Sequence, residues 1–219
     1  MLPAPAQLYS CPNCHKTKAM LSLMSGNTFG GELWSDGRTI YPMLPRLSTI
    51  QKCPHCGQYS LLEQWKDTKK TSDKESGTTG RLSYTEAKEA YIQLRYSSLM
   101  TKAVYQIALF FVQAYNDEFR RPKLREAIYE ERMPQLVSGT YPSPTEDDIN
   151  LFFEATQYAI DFSNTAQDAQ ILKAELHRER GEWVEAYELL YEMNAGENQW
   201  IVDTILFKFR KSRFPEIGA

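Results

Sequence analysis

The 219-residue chain predicts an α+β protein: a small β-rich module braced by a metal ion, followed by an all-helical domain. Three observations predict it. All four cysteines lie before residue 57, as Cys11-Pro-Asn-Cys14 and Cys53-Pro-His-Cys56. Apolar residues recur at helical spacing through the C-terminal part of the chain. Between these regions, Lys66 to Gly80 (KDTKKTSDKESGTTG) contains no apolar residue. Such a stretch has nothing to bury against the entropy of ordering it and is expected to be a flexible linker. The expected division is residues 1–65, a linker at 66–81, and residues 82–219.

Composition narrows the class. Hydrophobic residues make up 42% and charged residues 24%, ordinary for a globular domain. The net charge of -3 excludes a strongly basic nucleic-acid binder but not a local basic patch. Charge is uneven: +2 over residues 1–65, +2 over 66–81 and -7 over 82–219. The longest apolar run, Ile107 to Val112, is six residues, against the roughly 20 that a membrane-spanning helix needs. The N-terminus lacks a basic region and a long apolar core, so no secretory signal is expected. The expectation is a cytoplasmic protein with no membrane contact.

In the first module, Gln7 to Ser10 and Lys16 to Leu23 flank the first cysteine pair as strands. Glu32 to Ser35 and Arg38 to Tyr41 flank Asp36-Gly37, a dipeptide suited to the positive φ angles of a two-residue hairpin turn. Ser48 to Lys52 and Gln58 to Trp65 flank the second pair. Five or six short strands and almost no helix are expected.

In the second module, Ser83-x-x-Glu86 has the form of a capping box and places a helix start at about Tyr84. From Leu99 to Phe119 the pattern Leu99, Ala103, Ile107, Phe110, Phe111, Ala114, Tyr115 predicts the buried central helix. Lys123 to Met133 is a short helix candidate, and Pro134 to Pro144 reads as loop. Thr145 before Glu146-Asp147-Asp148 predicts a cap followed by acids that suit a helix dipole. Helices are expected over Asp147 to Phe162, Ala166 to Arg180, Trp183 to Met193 and Gln199 to Lys211.

The strongest chemical signal is the doubled cysteine pair. Two residues between the thiols let a tight turn aim both sulfurs at one ion, and two such turns make a tetrahedral four-sulfur site. The 38 residues between Cys14 and Cys53 leave room for the hairpin around Asp36-Gly37. Disulfides need an oxidising compartment, for which the sequence has no signal. A redox pair belongs in a βαβ setting, and iron is the minor alternative to zinc. The expected cofactor is one structural Zn²⁺ held by Cys11, Cys14, Cys53 and Cys56. Four thiols close the shell, so His15 and His55 read as surface turn residues rather than ligands. With these residues, positions 1–65 resemble a zinc ribbon.

Ile171 to Met193 (ILKAELHRERGEWVEAYELLYEM) resembles a tetratricopeptide repeat, with Ala174, Gly181, Trp183, Ala186 and Leu190 at the pattern's positions and His177 departing from it. A single helix pair leaves a face unburied, so two or three irregular pairs are expected, with Trp200, Ile201, Ile205, Leu206 and Phe209 facing the preceding one. The chain as a whole resembles a group of bacterial proteins with a ribbon followed by tetratricopeptide-like helices. That resemblance implies an architecture and no particular activity.

Searching for chemistry yields little. There is no phosphate loop, no HExxH and no GxSxG, and Gly26 to Gly31 has the wrong spacing for a dinucleotide site. His177 among Glu175, Arg178, Glu179 and Arg180 reads as a solvated face. The leading expectation is a non-catalytic adaptor that binds a protein partner through its helical surface. The alternative is nucleic-acid binding through scattered basic residues of the ribbon (Lys16, Lys18, Arg38, Arg46, Lys52) and the linker lysines. A third reading is an enzyme or small-molecule binder with its pocket between the two modules.

Overall fold

The computed structural model describes residues 2–34, 36–72, 77–96, 101–122, 142–163, 167–191 and five later positions (Met193, Gln199, Val202, Asp203, Leu206). The helix candidate at 123–133 lies outside them, as do most of the loop at 134–144 and of the last helix.

The N-terminal part is built from short antiparallel pairs. Strands β1 (Leu2–Pro3) and β4 (Leu23–Ser25) pair, as do β5 (Glu32–Leu33) with β6 (Thr39–Ile40) and β7 (Ile50–Lys52) with β8 (Tyr59–Leu61). A three-stranded sheet runs β3 (Thr17–Met20), β2 (Ala6–Ser10), β9 (Lys66–Ser72). Each cysteine pair sits in the turn of one hairpin, Cys11 and Cys14 between β2 and β3, Cys53 and Cys56 between β7 and β8. One 3₁₀ turn, Leu62–Gln64, follows β8.

Two sequence expectations are corrected here. Lys66–Ser72 is not linker but the edge strand β9, paired antiparallel with β2 at Ser10↔Lys66, Tyr9↔Asp67, Gln7↔Thr71 and Ala6↔Ser72, with a bulge between Asp67 and Thr71. A strand needs no apolar side chains when its backbone groups are paired and its neighbours supply polar partners. Here Gln7 Nε2 donates to Asp67 Oδ1 at 2.7 Å and Thr68 Oγ1 to the Leu8 carbonyl at 2.8 Å. Polar edge strands also resist pairing with other chains. The segment after it is seated on the N-terminal part as well: Leu21 N donates to Thr78 O at 2.9 Å and Ser48 N to Thr79 O at 2.8 Å. The second correction concerns the Asp36-Gly37 turn. The strands close at Trp34 and Arg38, whose backbones bond at 2.9 Å, so the turn is longer than two residues. Only Gly37 of the dipeptide has positive φ (75°), while the Asp36 carboxylate accepts from Arg38 N at 3.2 Å.

Five helices follow among the described residues: α1 (Tyr84–Leu94), α2 (Thr101–Tyr115), α3 (Glu146–Asp161), α4 (Gln167–Glu179) and α5 (Trp183–Leu190). The predicted caps form. Ser83 and Glu86 cap α1 reciprocally, and Thr145 and Asp148 cap α3. Helix α2 is the central one, with Ile107, Ala108, Phe111, Val112 and Tyr115 buried. It continues into a single π turn, Asn116–Arg120, where Arg121 N bonds back five residues to Asn116 O. Helices α4 and α5 form a hairpin around Gly181 (φ 82°), with Ile171, Ala174, Ala186, Leu190 and Val202 in one buried cluster and Leu206 packed on it.

The two modules share a core. Ile50, Tyr59 and Leu61 of the β7–β8 hairpin belong to the same buried cluster as Ala90, Tyr91 and Leu94 of α1 and Phe111 of α2. A second anchor lies at the β5–β6 turn, where buried Asp36 pairs with buried Arg121 just beyond the π turn. Arg38 reinforces it with an ion pair to Asp117 at 3.0 Å, and the Arg121 guanidinium lies 5.3 Å from the Trp34 ring centre.

Candidate metal centre

The four cysteines converge. Their Sγ atoms all lie within 4.8 Å of one another, with Cys11–Cys56 at 3.9 Å and Cys14–Cys53 at 3.7 Å. A tetrahedral ion with metal–sulfur bonds of about 2.3 Å has sulfur–sulfur edges of about 3.8 Å. The distances fit one ion at the centre and are far beyond the roughly 2.05 Å of a disulfide. Cys11 and Cys53 are buried; Cys14 and Cys56 are partly exposed.

The two turns are near copies. In each, the first cysteine's backbone N–H bonds to the carbonyl five residues on, Cys11 to Lys16 at 2.9 Å and Cys53 to Gln58 at 3.0 Å. In each, the residue after the second cysteine returns its N–H to the first cysteine's carbonyl, His15 at 3.0 Å and Gly57 at 2.9 Å. That position is left-handed in both, at φ 60° for His15 and 72° for Gly57. It suits Gly57, whereas His15 accepts a costlier conformation. The Asn13 amide lies 3.4 Å from Cys11 Sγ, directed as a metal-bound thiolate requires.

Electrostatics point the same way. Burial pushes the Cys11 thiol up. At Cys56 the Gln58 amide favours the thiolate, but burial and the sulfurs of Cys53, Cys14 and Cys11 oppose it, and its pKa is pushed up to about 12. At Cys53 burial also opposes ionisation, yet the amides of Cys56 and His55 and the thiols of Cys56 and Cys11 outweigh it and bring its pKa to about 6. Four sulfurs this close cannot all ionise unaided; a divalent cation lets them.

Neither histidine adjoining the site is among the clustered ligands. His55 is exposed and its Nε2 lies 2.9 Å from the Thr17 carbonyl. A carbonyl only accepts, so this nitrogen carries the proton and ties the second knuckle to β3. Cys11 and Cys53 form a buried cluster with Met20 and Trp65, which shields one side of the sulfurs. Half-buried Lys18 donates to Gln51 Oε1 at 2.9 Å and to the Lys52 carbonyl at 3.2 Å. Burial lowers its pKa, opposed by attraction to Cys53 and Glu86.

Other residues singled out from sequence have structural partners. Asp148 accepts from Lys88 at 2.6 Å and from the Tyr84 hydroxyl at 2.8 Å, besides capping α3. His177 is not on a fully solvated face: its Nδ1 lies 2.7 Å from Glu182 Oε2 across the α4–α5 turn, its side chain 15% exposed. Sequence reasoning missed the buried network of Asp36, Arg121, Asn116 and Glu179. Asn116 Nδ2 bonds Asp36 Oδ2 at 2.9 Å and Glu179 Oε1 at 3.0 Å. These residues are scattered over 140 positions and show no spacing that reveals their meeting.

The arrangement is a cluster of four sulfurs that could hold one metal ion. No family model, no curated protein and no solved structure matches this chain.

Proposed function

We propose that the four cysteines hold one structural zinc ion in a zinc ribbon, and that the chain is a non-catalytic adaptor whose helical surface binds a protein partner. The observation that carries the second part is a set of large apolar side chains that helices leave in water at helical spacing. On α1 these are Ile92 and, just beyond it, Tyr96; on α3, Ile149 and Phe153; near α5, Val184 and Tyr191. Their exposures run from 37% of full at Ile149 to 70% at Tyr96. Solvent-facing apolar groups gathered on neighbouring helices are typical of recognition surfaces. The α4–α5 hairpin supports a repeat-like reading, because Ala174, Ala186 and Leu190 are buried where a tetratricopeptide pattern puts its packing residues.

The nucleic-acid reading has less support. Of the five ribbon cations, Lys18 is turned inward, Lys52 pairs with Glu86 at 3.1 Å and Arg38 pairs with Asp117. Lys66, Lys69 and Lys70 on β9 remain exposed and keep that reading as the alternative.

Two measurements test the proposal. Metal analysis with thiol titration is expected to give one zinc and no reactive thiol per native chain; absence of bound metal removes the ribbon. Affinity capture with the intact chain is expected to retain a specific protein that Tyr96→Ser with Phe153→Ser releases. Retention unchanged by that pair, or salt-sensitive capture of DNA or RNA instead, overturns the adaptor reading.

A further inference from the structure

The chain from Gly37 to Thr49 runs from one anchor between the modules to the other. Beneath it, bounded by residues 79–84 and by α2 with its π turn, lies a cleft of about 680 Å³. That volume falls within the range of small-molecule sites, about 300–1,000 Å³. Two arginines on its ribbon-side and pre-α1 walls, Arg46 and Arg81, are exposed and have no carboxylate partner among the described residues. The lining also includes apolar Leu47, Leu82 and, on α2, Phe110, all half-buried.

Both arginines stand on rigid supports. The Arg46 guanidinium lies 5.6 Å from the centre of the Tyr41 ring. That ring packs where Gly31 has no side chain: a Cβ there would meet Tyr41 Cδ1 at 2.6 Å. Arg81 follows Gly80, whose φ is 65° and whose missing Cβ makes room for the buried Gln51 side chain. Gln51 Nε2 bonds the Ser48 carbonyl at 2.8 Å and the Thr79 carbonyl at 3.2 Å, tying the Arg46 wall to the Arg81 wall. The acids that line the cleft, Asp117 and Glu118, belong to the π turn. Asp117 is neutralised by Arg38 and Arg121, and Glu118 lies beside it in the π turn.

We propose that this cleft binds a small organic anion, its phosphate or carboxylate held by Arg46 and Arg81 and its apolar body lying on Leu47, Leu82 and Phe110. Guanidinium groups bind both oxyanions through paired N–H donors, so the two chemistries share one site. The apolar stretch asks for a ligand with carbon framework rather than a bare ion. Asp117 and Glu118 disfavour a second anionic group beside them. This site is separate from the exposed helix faces proposed for a partner, and it stands or falls independently of them.

The test is calorimetric titration of the full metal-loaded chain, at moderate salt, with AMP, 3-phenylpropionate, adenosine and inorganic phosphate. AMP or 3-phenylpropionate is expected to bind, the one that does so naming the oxyanion. Adenosine and inorganic phosphate are expected to bind at least about tenfold more weakly, as each supplies only half of the recognition. Arg46→Gln and Arg81→Gln are each expected to weaken binding by about tenfold, the loss of a charge-assisted hydrogen bond. Arg81→Lys, which keeps charge without the fork, is expected to recover part of the loss, and Lys70→Gln on β9 none of the effect. Both arginines are exposed, so the variants should fold, and a matching circular dichroism spectrum checks that they do. Failure of both AMP and 3-phenylpropionate to bind overturns the proposal. So does binding that ignores both arginines, or a Lys70→Gln loss as large as theirs, which marks diffuse attraction.

Discussion

The Asp148 carboxylate accepts from Lys88, from the Tyr84 hydroxyl and from the Thr145 amide and hydroxyl. Burial opposes its ionisation, but these donors outweigh burial and hold its pKa well below the usual carboxylate range. The sign follows directly. A carboxylate depressed in the fold adds stability above its unfolded pKa of roughly 4 and loses it as pH falls through the folded value. Asp148→Ala is expected to cost about 2–3 kcal/mol at neutral pH, from the lost cap and the stranded partners. Urea unfolding at pH 7 and pH 2 checks it: the difference from wild type should shrink in acid. Asp36 is a different case, because its charge is buried with that of Arg121. Asp36→Ala leaves buried Arg121 with Asp117 as its remaining carboxylate, removes an acceptor of Asn116, and is expected to cost about 3 kcal/mol. The double variant Asp36→Leu, Arg121→Met should recover most of that, as apolar replacement of a buried pair often does. Chemical denaturation of the single and double variants separates the two outcomes.

At the scale of elements, the π turn at the end of α2 determines where charge is buried. Its extra residue widens one turn and places Asn116 towards both the β5–β6 hairpin and α4. Glu179, at the end of α4, is thereby enclosed. Its pKa is pushed up to about 7, by burial first and then by Glu175, while Arg120 opposes the shift at 3.3 Å. A carboxyl raised in the fold contributes stability below its unfolded pKa and loses it as pH rises through the folded value. Stability should therefore decline between about pH 4.5 and 7 through this group. Glu179→Gln is expected to flatten that decline, measured as the urea midpoint across the same range. An unchanged slope places the proton elsewhere.

For the whole molecule, the metal knuckle and the helical core are mechanically one piece. Cys53 and Cys56 hold the turn of the hairpin whose Ile50, Tyr59 and Leu61 are buried against α1. Each such side chain contributes about 1.5–3 kcal/mol when fully buried. Unfolding that hairpin therefore removes part of the helical domain's own core. Metal removal with a chelator, or Cys53→Ser, is expected to lower the melting temperature of the helical circular dichroism signal by about 5 °C or more, within one transition. Helix melting that ignores the chelator means that the modules unfold independently.

The sequence by itself determined the local chemistry. Ser83 with Glu86 and Thr145 with Asp148 form their caps, and α2 is the buried central helix. Cys11, Cys14, Cys53 and Cys56 meet at one point. These features rest on spacings of a few residues or on a side-chain chemistry with few uses, so they can be read along the chain. The tertiary structure alone decided that Lys66–Ser72 is a strand, because its order comes from backbone pairing with β2 and leaves no hydrophobic signature. It alone decided that Asp36, which looks like an ordinary turn residue, is the buried counterion of Arg121, 85 positions away. It also decided that the modules dock and that their docking encloses a cleft. Contacts between distant residues depend on which surfaces fold brings together, and no short-range pattern encodes that choice.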